Sequence, residues 1–158
     1  MFQLKKKNKG VALVEVIIGV SLVSLISIFI GLAVTQFVNT RNVILSDTKK
    51  MYLAEEGYES IRFLRDENWS NISSLTSNTY YFLQISTTTV ATSGSPEVID
   101  GVYKRSFLIQ PVYRGNSGDV VASTSAGAVL DTDTKKIFIF VNDTNGTTSV
   151  NALLTNLP

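Results

Sequence analysis

From Val16 to Thr40 the chain carries no charged residue, a run of 25. As an α-helix rising about 1.5 Å per residue, such a run measures roughly 37 Å, longer than the about 30 Å of a bilayer's hydrocarbon core. A secretory signal core spans only about 7–15 residues and ends at a small-residue cleavage site, so this longer run is expected to stay in the product. Lys5, Lys6, Lys7 and Lys9 precede it. Basic residues stay on the cytoplasmic side, so the predicted topology is single-pass, with a cytoplasmic N-terminus and an extracytoplasmic remainder.

One acid interrupts this pattern. Glu15 lies at the entrance to the apolar run, and the next charge is Arg41. A carboxylate at the centre of a membrane helix costs about 2.5–3.5 kcal/mol on insertion scales, and less toward the edge. Such a group calls for a cationic partner, and the run contains none. A cut after Gly10 would create one. The new amino terminus at Val11 would lie four residues before Glu15, on the same helix face, in its own chain or presented by a neighbour.

The Lys-rich leader, Gly10, Val11-Ala12-Leu13-Val14-Glu15 and the apolar helix resemble the class III leader of type IV pilins and pseudopilins. The resemblance implies a prepilin peptidase that cuts after Gly10 and methylates the amine of Val11. It also implies that Glu15 guides assembly by meeting the N-terminus of an adjacent subunit. The implied partners are other copies or related pilin subunits, the peptidase, the pilus or secretion assembly machinery and membrane lipid. Assembly would carry the chain from the cytoplasmic membrane into a surface filament. Val11, Ala12 and Leu32 depart from the family's commoner Phe, Thr or Ser, and helix-kinking Pro.

The predicted organisation is a leader at 1–10, a transmembrane helix at 11–40, an amphipathic continuation at 41–68 and a β-rich extracytoplasmic head at 69–158. Ser27, Gly31 and Thr35 recur every fourth residue. Such a stripe is either a packing face or the ordinary small-residue content of a membrane helix. No proline precedes Pro96, so nothing forces the helix to stop at the membrane surface. Beyond Arg41, Ile44, Met51, Ala54, Tyr58, Ile61 and Leu64 form one apolar stripe. Asp47, Lys50, Glu55, Glu59 and Arg62 are expected mainly on the opposite face. Gly57 reads as a weak point, about 1 kcal/mol worse than Ala in a helix. The helix is expected to end near Arg65, and Trp69 to pack where the chain turns back.

Short strand patterns separated by turn residues follow. They are Tyr80–Ser86, Val102–Tyr113 with Pro111 marking an edge or bulge, Val120–Ser123, Ala128–Leu130, Lys136–Val141 and Thr148–Leu154. Residues 87–96 read as a mobile loop. Short connections favour antiparallel pairing. The predicted class is α+β, a long N-terminal helix packed on a small antiparallel sheet in a pilin-like arrangement.

Composition weighs against catalysis. The chain has no His and no Cys, so its many Ser and Thr lack the usual activating base, and an enzyme is not the expected function. No cofactor is implied beyond calcium, for which Asp143 and Asn145, with Asp131 and Asp133 from another turn-like stretch, are candidate oxygen ligands. Losing the leader lysines takes the formal charge from +1 to −3, not a nucleic-acid-binding balance. Lys104, Arg105, Arg114, Lys135 and Lys136 would form only a thin patch, and adjacent Lys104 and Arg105 are expected on opposite faces of a strand. The alternative to a filament subunit is a membrane-tethered extracytoplasmic binding module that keeps its leader and never polymerises.

Overall fold

The computed structural model describes residues 9–86 and 90–157. The leader lysines Lys5, Lys6 and Lys7 and the first part of the expected loop, Thr87–Thr89, lie outside them. Helix α1 runs unbroken from Lys9 to Glu67 over 59 residues. It is followed by a single turn of helix, α2 (Ser70–Ser73), and seven strands. These are β1 (Tyr80–Ile85), β2 (Val90–Ser93), β3 (Glu97–Ile99), β4 (Tyr103–Arg114), β5 (Val120–Val121), β6 (Val129–Asp143) and β7 (Gly146–Thr155).

Contacts divide the chain into two compact units, Met1–Ile44 and Leu45–Pro158. In the described part of the first, α1 is apolar all round, with a most apolar stretch of mean hydropathy 2.7 and no buried residue. It is long and apolar enough to cross a membrane. Its hydroxyls turn back onto their own helix. Ser27 donates to the Val23 carbonyl at 2.9 Å and Thr35 to the Gly31 carbonyl at 3.0 Å. These two hydroxyls are thereby satisfied within the helix itself.

In the second unit the remainder of α1 packs on an antiparallel sheet of order β2-β1-β4-β6-β7, with β3 and β5 also paired to β4. This is the expected α+β arrangement. Alternation sends Phe107 and Ile109 of β4 and Ile137, Ile139 and Val141 of β6 inward, where they meet Ala54, Ile61 and Leu64 of α1. Complete burial of one such side chain is worth about 1.5–3 kcal/mol. α1 stops where Asn68 and Asn71 take over its ends. The Asn68 amide and the Asn71 side chain both donate to the Leu64 carbonyl, each at 3.2 Å. Trp69 packs against the core at this turn.

The structure corrects several expectations. Ile44 and Met51 are exposed at 58% and 47%, whereas Lys50, expected on the polar face, is buried at 2%. The face toward the sheet is centred on Ala54, Gly57 and Ile61. Part of the expected loop is strand, because Val90–Ser93 pair with Phe82–Ile85. Asp131 and Asp133 lie inside β6, not in a turn. β4 steps from Pro111 opposite Lys135 to Val112 opposite Asp131. Thr132–Thr134 therefore form a bulge, while β7 still pairs with Thr134 and Lys135 and keeps the strand continuous. Pro111 needs no ladder donor there, since β1 and β5 pair with β4 on either side of it.

Candidate processing and assembly site

Gly10, Val11 and Glu15 all lie in the opening turns of α1. Helical geometry puts Val11 and Glu15 on one face, and both are exposed. No ion pair among the described residues involves Glu15, and Arg41 lies 26 positions further along, about 39 Å up the same helix. The pair therefore offers an exposed carboxylate one turn from the bond whose cleavage would release an amine. Ser27, Gly31 and Thr35 follow on the same helix, also exposed. Apart from its own stretch of helix, no heavy atom lies within 4 Å of the position a Cβ on Gly31 would take, so the backbone is open to close approach.

The candidate calcium ligands fall into two separate sets. Asp131 and Asp143 lie 12 positions apart on β6, some 35–40 Å along an extended strand. Asp131 accepts from Arg114 Nε at 2.6 Å and from the backbone N–H of Asp133 at 3.0 Å. That guanidinium, with the Thr134 hydroxyl, holds the Asp131 carboxyl below the usual range. The Asp133 side chain is exposed, as is Asn145.

Asp143 instead ties the β6–β7 turn to α1. Its carboxylate accepts from the Ser46 hydroxyl, from Lys50 Nζ at 3.2 Å, and from the backbone N–H groups of Asn145 and Gly146 at 2.8 Å each. The Ser46 hydrogen bond, followed by the turn amides and the Lys50 ammonium, brings its pKa down to about 2, against the opposing pull of burial. Lys50 also pairs with Asp47 at 2.9 Å, and these carboxylates raise its own pKa. A carboxylate with partners on both oxygens acts as a structural tie.

No protein-family model, curated protein or solved structure matches this chain.

Three of the candidate basic residues are engaged within the head. Arg105 is buried at 1% and donates to the Leu53 carbonyl at 2.9 Å and to Glu56 at 2.7 Å. Arg114 is committed to Asp131, and Lys136 lies over the Phe138 ring at 4.9 Å. Lys104 is exposed on the face opposite Arg105.

Sequence reasoning missed Lys50 and Arg105 as buried ties and Gly57 as a contact point. It also missed a groove of about 470 Å³ on the outer sheet face, lined by Tyr80, Phe82, Ser106, Phe140, Asn142 and Thr147. A legible signal existed for the groove. Tyr80 and Phe82, like Phe138 and Phe140, are spaced by two, the period that puts strand side chains on one face.

Proposed function

We propose that the chain is a type IV pilin-like or pseudopilin subunit, cut by a prepilin peptidase after Gly10 and polymerised through its N-terminal helix. One observation carries this reading. Glu15 has no cationic partner among the described residues and lies one turn from the Gly10–Val11 bond, at the start of the uncharged Val16–Thr40 run of α1, whose most apolar stretch has no buried residue. An isolated anchor gains nothing from a carboxylate there. A bundle of such helices does, because an unmatched charge in a low-dielectric core is penalised while a matched one is tolerated. Glu15 would then select the register in which it meets the methylated Val11 amine of a neighbour. The filament core would be built from α1, with the β-rich head displayed outside the membrane.

Glu15→Ala should insert and be cut as wild type yet assemble poorly, and a normal filament yield from that variant counts against the mechanism. Gly10→Val should leave an uncut precursor, visible as slower gel migration than the wild-type chain.

The outer-face groove favours a second reading, a tethered binding module that does not polymerise. The N-terminal mass of protein extracted from membranes separates the two. A methylated start at Val11 supports the filament subunit, and an intact Met1 supports the tether.

A further inference from the structure

β7 ends the sheet. It pairs with β6 over ten consecutive positions with no register shift. No backbone hydrogen bond on its far side joins it to another strand among the described residues. A free edge presents a row of unpaired N–H and C=O groups, which proteins ordinarily protect with charges, proline, bulges or shortness. β7 has none of these. Its sequence, GTTSVNALLT, contains no charged residue and no proline, and Asp143 is the last charged residue in the chain. The opposite edge is blunted, since β2 has only four residues and Pro96 follows it. Arg65 approaches the Thr155 carbonyl at 3.5 Å, which leaves Gly146–Leu154 as the open stretch.

The partner that satisfies such a row of donors and acceptors along its whole length is another extended backbone. We propose that this backbone is β7 of a second copy, paired antiparallel about a two-fold axis so that two sheets become one. The pattern of β7 is self-complementary. Val150, Ala152 and Leu154 are partly or fully buried on the inner face, whereas Ser149, Asn151 and Leu153 are exposed on the outer face. Any two-fold antiparallel register places inner residues opposite inner ones and outer opposite outer. With no charge on the strand, no register sets like charges against each other. Pairing would also join the two apolar inner faces into one. The contact lies between heads and does not depend on whether α1 polymerises.

The native chain has no cysteine, so the full-length protein in detergent can be tested by single-cysteine cross-linking. Ser149→Cys, Asn151→Cys and Leu153→Cys, alone and mixed pairwise, are oxidised beside Gln84→Cys, an exposed position in β1 away from the edge. One β7 combination should cross-link at least fivefold more than the control. A double variant, Ser149→Lys with Asn151→Lys, places ammonium groups across the seam. It should lower co-purification of two differently tagged copies at least fivefold with an unchanged melting temperature. Mixing it with Ser149→Glu/Asn151→Glu should restore capture. Cross-linking no better than at Gln84, or capture indifferent to the lysines, overturns the proposal.

Discussion

Gly57 shows how one residue can change meaning between sequence and structure. In a helix it costs about 1 kcal/mol against Ala, yet a Cβ there would stand 3.0 Å from Arg105 Cδ and 3.3 Å from Ile139 Cγ2. Arg105 cannot swing aside, because its guanidinium is held by the Leu53 carbonyl and Glu56. The glycine is therefore a point where the sheet packs directly against the helix backbone. Gly57→Ala should lower the melting temperature despite its better helix propensity, and Gly57→Val should cost about 1–3 kcal/mol by overpacking. Thermal unfolding in detergent checks both, and a rise in melting temperature for the alanine variant contradicts the account.

At the scale of elements, the second half of α1 is defined by which of its faces meets the sheet. Ile61 is fully buried, whereas Met51 from the same sequence stripe is 47% exposed. Ile61→Ala should destabilise by about 2–5 kcal/mol, the range for emptying a packed core position. Met51→Ala should stay within about 0.5 kcal/mol of wild type. Equal losses in chemical denaturation would mean that the helix presents a different face. Apolar spacing located the stripe to within about one residue per turn. It could not decide between neighbouring positions, because Lys50 finds carboxylates on both sides and so tolerates burial that spacing alone would forbid.

For the head as a whole, the Asp143 tie predicts an acid response. Its folded pKa of about 2 lies below the ordinary 3.8, so the unfolded chain binds the proton more readily between these values. The stabilisation is complete above the unfolded value and is lost as pH falls through the folded one. Asp131, also lowered, acts in the same direction. The melting temperature should therefore fall from about pH 5 toward pH 2, and Asp143→Asn should flatten that slope while lowering stability at neutral pH. An unchanged slope would show that the tie does not govern acid unfolding.

Local patterns in the sequence sufficed for the long helix, its apolar and amphipathic halves and the β-rich head. All of these rest on local periodicity, charge and turn chemistry, which neighbouring residues express without help from distant ones. The proposal for Gly10 and Glu15 rests on the same kind of information, spacing along one helix. Only the tertiary structure decided that Lys50 and Arg105 are buried, that Gly57 is a point of contact, that Asp131 and Asp133 belong to a bulged strand, and that β7 ends the sheet. Those properties depend on partners 49 to 93 residues away for the two buried cations and on strand order for the edge. A linear pattern can show that a residue is polar or small, but not which distant group will satisfy or crowd it.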